Sequence, residues 1–131
     1  MPAFDPRSSD DIEREIALGK LYTQMRRALS LGDLPRADKL AQQLLTLAPD
    51  TTSTEELLGD LAFARKQYSE ARDHYRRALD IEPANVDAER KFGEVVLLLA
   101  QAQRLRSRAV EVVEDPSKLP RSKRIPWIAA L

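Results

Sequence analysis

The chain has no cysteine, one histidine, four glycines and seven aromatic residues. Without thiols it can form neither a disulfide nor a thiolate nucleophile or metal site, which fits a reducing compartment. It has no net charge, since 21 Lys and Arg balance 21 Asp and Glu. That balance argues against a surface that coats nucleic acid or another polyanion. It also lacks a long apolar run: the longest, Val95–Ala100, is far short of a membrane span. Met1–Asp11 has no basic segment followed by an apolar core, so a secretory signal is not expected there. There is no Gly-rich phosphate loop and no metal-ligand spacing. His74, between Asp73 and Tyr75, reads as a surface residue of a helix rather than as a base or ligand. The sequence therefore leads us to expect no catalytic residue, no metal and no cofactor in a soluble, non-enzymatic protein of the cytoplasm.

What is present is charge and periodicity. Charged residues make up 32% of the chain, and Ala, Leu, Arg and Glu dominate, as in a mostly helical protein. At 131 residues it is long enough for one domain and too short for two well-buried ones. Ala37 and Ala71, Pro49 and Pro83, and Gly59 and Gly93 are each 34 residues apart. A fixed period of this length marks stacked helical repeats. Residues 1–9 read as a flexible arm with two prolines. Asp10-Asp11-Ile12-Glu13 reads as a capping box opening a first helix to about Leu31, with Ile12, Ile16, Leu18, Leu21, Met25, Ala28 and Leu29 as its apolar stripe. Gly32-Asp33 turns the chain into a second helix, about Leu34–Leu47, which stops before Pro49. Thr52-Ser53-Thr54-Glu55 reads as a second capping box, opening a helix over about Ser53–Arg65. A fourth helix over about Tyr68–Ile81 stops before Pro83. No Gly–Pro break follows, so residues 86–114 are expected to form one long helix of about 43 Å at 1.5 Å per residue. The helical domain thus covers 10–114, and 115–131 is a basic tail containing three prolines.

Leu58-Gly59, Tyr68, Ala71, Tyr75, Ala78 and Pro83 stand in the spacing of the tetratricopeptide repeat family, which this chain resembles over about residues 12–99. The resemblance implies an all-α fold: a right-handed superhelical stack of antiparallel hairpins, about 2.5 repeats, with a long C-terminal helix. In such a hairpin Gly59 and Ala71 let the helices approach, and Tyr75 fills the space between them. The first copy is looser, with Met25, Ala41 and Leu44 at the places of Gly59, Tyr75 and Ala78.

The resemblance also implies function: a scaffold or adaptor that binds a peptide or helix on a concave face lined by the first helix of each repeat. Carried over position by position, that face comprises Tyr22, Arg26 and Leu29, then Glu56, Asp60 and Phe63, then Arg90, Glu94 and Leu97. Each trio follows one helix face, and the mixture suits a partner carrying both charge signs. Some members grip a C-terminal carboxylate with Lys and Asn on these helices. Tyr22, Glu56 and Asp60 here are the wrong chemistry for that.

On the long helix, Leu98, Ala102, Leu105, Ala109 and Val112 are spaced four, three, four and three, as in a coiled-coil seam, and predict self-association into a homo-oligomer. The alternative is that the segment folds back as an irregular second helix of a third repeat. From Gln101 on there are seven Lys or Arg against three Asp or Glu. Lys118, Arg121, Lys123 and Arg124 precede Trp127 in a pattern like the threshold of a membrane segment. This supports a second reading: the cytoplasmic domain of a longer membrane-anchored protein, or a tail that binds anionic lipid or nucleic acid. Nucleic acid is the less favoured partner, because aromatics for base stacking are scarce.

Overall fold

The computed structural model describes the backbone of residues 8–114 and the side chains of residues 8–109. Among the described residues there are five α-helices and no strand: α1 (Ser9–Leu31), α2 (Leu34–Leu47), α3 (Thr52–Ala64), α4 (Tyr68–Ile81) and α5 (Val86–Glu114). The chain is all-α, with repeated helical hairpins. Contacts divide it into two compact units, the first ending at Val96 and the second beginning at Leu97.

In the first unit α1 pairs with α2 and α3 with α4, and both helices of the first hairpin touch α3. The turns show why the period is 34. Gly32 has φ 71°, the left-handed region, and Asp33 N–H donates back to Ala28 O at 2.9 Å. Thirty-four residues later Lys66 has φ 62°, and Gln67 N–H donates to Ala62 O at 2.9 Å. Both are Schellman-type helix ends, which satisfy carbonyls the helix leaves free. Glycine adopts this conformation without penalty, whereas a Cβ disfavours it. Lys66→Gly should therefore stabilise the fold by about 1 kcal/mol, read as a higher urea midpoint at unchanged slope.

The starts of helices sit one or two residues earlier than the capping boxes suggested. Ser8, not Asp10, caps α1 by accepting from Asp11 N–H at 3.2 Å, so Ser8 and Ser9 belong to the helix start. Thr51, not Thr52, caps α3 by accepting from Thr54 N–H at 3.2 Å. Asn85 caps α5 in the same way, through Ala88 N–H at 3.1 Å, again 34 residues on from Thr51. Asp33 caps α2, and Pro35 falls in its first turn, where a missing N–H costs nothing.

The core of the first unit is built from Met25 and Ala28 of α1, Ala37, Leu40, Ala41 and Leu44 of α2, and Leu57, Leu58 and Leu61 of α3. The apolar stripe of α1 is only partly used: Ile12 and Ile16 are exposed. The reason is length. α1 has 23 residues and α2 has 14, so among the described residues the first turns of α1 extend past the end of its partner helix. Arg14 from those turns donates to Leu47 O at 2.7 Å and satisfies the end of α2 instead. In the second hairpin Tyr75 is 2% exposed and lies on Gly59, with Ala71 and Ala78 fully buried beside it. Ala88 and Val95 bury the corresponding side of α5 within the same unit.

Candidate protein-binding face

The three first helices contribute unequally to the expected face. Tyr22 is half-buried, and its hydroxyl lies 2.8 Å from Thr51 Oγ1, which itself donates to Thr54 Oγ1 at 2.8 Å. Leu29 is half-buried against the core, while Arg26 is exposed. In α3 and α5 the residues converge. Lys91 Nζ donates to Glu56 Oε1 at 2.8 Å and to Asp60 Oδ2 at 3.1 Å. Tyr75 donates its hydroxyl to the other Asp60 oxygen at 2.7 Å. Asn85 Nδ2 lies 3.5 Å from Glu56 Oε2. Two acids that the sequence offers to a partner are thus already engaged by neighbours.

Burial opposes the Lys91 charge, but hydrogen bonds to Glu56 and Asp60 and the Asp60 charge outweigh it and hold the ammonium above its ordinary value. Burial first, then the bond to Asp60, pushes the Tyr75 phenol well up, so it remains a donor at any physiological pH.

Next to this network is a shallow pocket of about 210 Å³ lined by Asp60, Phe63, Tyr75, Arg90, Lys91 and Glu94. Phe63 is exposed and meets Tyr68 edge to face at 5.4 Å. Arg90 and Glu94 pair at 3.1 Å across one turn of α5 and are both exposed. Four of the nine expected residues therefore meet here: Asp60, Phe63, Arg90 and Glu94. Leu97 is 56% exposed and falls in the second unit. Such a pocket can accept one apolar side chain beside groups of both charge signs.

Lys91 was missed by the sequence reading, although a signal for it exists. It stands 34 residues after Leu57, a core residue, so a cation occupies an apolar place in the register. His74 also differs from the expectation of a surface residue. It is half-buried, with Nδ1 2.8 Å from Glu55 Oε2, and Arg77 Nε is 3.5 Å from the same oxygen. Among the described residues no group of His, Cys, Asp and Glu is arranged to hold a metal ion.

In the second unit the seam residues of α5 are uncovered: Leu98 is 36% and Leu105 65% exposed, with Ala102 and Ala109 exposed between and after them. Val112 is on the same helix, but its side chain lies outside the described ones. Lys118, Arg121, Lys123, Arg124 and Trp127 lie outside the described residues altogether. Among the described residues no helix is long and apolar enough to cross a membrane.

Comparison with known proteins agrees with the repeat pattern. A sequence model of the family described as TPR repeat matches residues 59–99. A stretch of 67 residues is 39% identical to a protein of Arabidopsis thaliana named Cell division cycle protein 27 homolog A. That stretch is 51% of this chain and only 9% of the length of that relative.

Proposed function

We propose that this chain, a member of the tetratricopeptide repeat family, is an adaptor that holds a peptide or helix of a partner protein against α1, α3 and the start of α5. Repeats of this family generally mediate protein–protein interaction. The observation that carries the finer reading is the pocket at Phe63, where an exposed aromatic ring lies beside Asp60, Arg90 and Glu94. Asp60 is held by Lys91 and Tyr75 and lines the pocket, while Glu56 is held by Lys91 outside it. Recognition then falls to Phe63, Arg90, Glu94 and Arg26. Tyr22 and Leu29 support the face from the core.

Affinity capture from the native cell tests this reading. The double variant Phe63→Ala/Arg90→Glu should lose partners that the unaltered chain captures, because it removes exposed groups and leaves the core untouched. An identical set of partners on both would overturn it.

Self-association is a second reading, favoured by the exposure of Leu98 and Leu105 on one α5 stripe with Ala102 and Ala109. Because two of the five seam residues are Ala, the pairing is of modest strength. Light scattering over a concentration series should show a mass that rises with concentration, and Leu105→Arg should return it to that of a monomer. A mass that stays monomeric throughout would remove the second reading and leave the first standing.

A further inference from the structure

The 34-residue register allows α5 to be laid over α3, and one difference stands out. Gly59 and Gly93 occupy the same place, yet a Cβ on Gly59 would lie 2.5 Å from the Tyr75 ring, while a Cβ on Gly93 would meet nothing within 4 Å. No described residue takes, against α5, the place that α4 fills against α3. Val96, on the same side of the helix as Gly93, is 40% exposed, and Glu89 and Gly93 are exposed with it. Ala88 and Val95, on the other side, are fully buried. The first helix of a third repeat is therefore present with its hairpin face uncovered by any of the described residues.

The chain's own sequence is a poor fit to that face. At the register positions of Ala71, Tyr75 and Arg77 stand Leu105, Ala109 and Glu111. Leucine is oversized where two helices must approach, alanine cannot fill the space at the glycine, and Glu111 would meet Glu89. Ala100 stands where Gly32 and Lys66 turn the chain, and α5 runs through it unbroken.

We propose that the face of α5 around Gly93 is a docking site for an amphipathic helix of a partner protein, one that carries a tyrosine between small residues and a cation on the side that meets Glu89. The second hairpin is the template for its chemistry. Tyr75 enters at Gly59, with Ala71 four residues before it and Ala78 three after. His74 and Arg77 face Glu55, for which Glu89 is the counterpart in α5. A partner helix should accordingly place an aromatic ring at Gly93 and a cation beside Glu89. Glu94, the counterpart of Asp60, is paired with Arg90 at an exposed site, so it is accessible to the partner's phenol. This face adjoins the Phe63 pocket at Glu94, which lines both, and adds a second attachment point centred on Gly93.

The probe is a blocked synthetic peptide with the α4 sequence, Tyr68–Ile81, titrated into the isotope-labelled full chain and followed by amide shifts. Shifts should gather at Glu89–Val96. Gly93→Leu in the chain should weaken binding at least about ten-fold, equivalent to 1.4 kcal/mol, and Tyr75→Ala in the peptide should do the same. Glu89→Arg should weaken it as well. Gly93→Leu replaces an exposed helical glycine with a better helix former, so its fold should persist, and a thermal melt verifies that. Binding that is indifferent to Gly93→Leu, or shifts centred on Leu57–Phe63 instead, would overturn the proposal. So would tighter binding by a peptide spanning residues 101–114, which would give the place to the chain itself. Partners lost with Phe63→Ala/Arg90→Glu but kept with Gly93→Leu would identify the other face alone.

Discussion

Gly59→Ala should destabilise the fold by about 1–3 kcal/mol, although alanine is the better helix former by about 1 kcal/mol. The added methyl would lie 2.5 and 2.6 Å from two ring carbons of Tyr75, closer than carbon atoms approach. Neither side can yield cheaply. The ring is 2% exposed, held between α3 and α4, and its hydroxyl is fixed to Asp60 at 2.7 Å. Two comparisons separate this cause from a general intolerance of helix changes. Gly93→Ala, at the same register position with open space around it, should stabilise by about 1 kcal/mol through propensity alone. Tyr75→Ala should cost about 3–5 kcal/mol on its own, as for other large aromatics cut from a core. In that background Gly59→Ala should change sign and become neutral or stabilising. Urea unfolding of the four variants gives the cycle, and a cost for Gly59→Ala that survives the loss of Tyr75 would refute the packing account.

The second large effect belongs to Lys91. Lys91→Met should cost about 1.5–3 kcal/mol at neutral pH, because it leaves the half-buried Glu56 and Asp60 carboxylates without their shared cation. Methionine keeps most of the length of the side chain, so the loss is of charge and not of volume. The pH dependence has a definite sign. The folded chain holds the Lys91 ammonium above its ordinary value of 10.5, so folding binds this proton more tightly than the unfolded chain does. The contribution is fully present below pH 10.5 and is lost as pH rises through the folded value. The stability gap between the unaltered chain and Lys91→Met should therefore be flat from neutral pH into the mildly alkaline range and close at strongly alkaline pH. A gap that widens with alkalinity would show that Lys91 is not the charged partner described.

How much of this was legible before the structure depends on which physical signal each residue leaves. Gly59, Ala71, Tyr75 and Ala78 were readable because close helix crossings admit few sizes of side chain, and the structure places Tyr75 on Gly59 as the repeat implied. Helix spans were readable from Gly32, Pro49 and Pro83, whose backbones cannot continue a helix easily. Lys66 was not, because a left-handed lysine is held there by the surrounding turn and not by its own preference. The helix caps moved to Ser8 and Thr51 because adjacent Ser, Thr and Asp residues cap about equally well, and only the backbone decides between them.

The site was less legible than the fold. Glu56 and Asp60 follow one helix face, yet both are engaged by Lys91, a residue from the next repeat. A position-by-position transfer from the family names residues on one helix, while their availability is decided by what arrives from another. Tyr22 shows the same thing on a smaller scale, since its hydroxyl is taken by Thr51.

That last contact has a consequence for how the repeats come apart. Thr51 Oγ1 accepts from the Thr54 amide that opens α3, donates to the fully buried Thr54 hydroxyl and meets the phenol of α1. In a linear array of repeats the joint between neighbours is the natural place for partial melting. Here the same oxygen serves as end-stop for one hairpin and as anchor for the other. Fraying at the joint gives up the phenol's bond to Thr51 while the Thr51–Thr54 bonds stay within the second hairpin, so the first hairpin loses its anchor and the second keeps its cap.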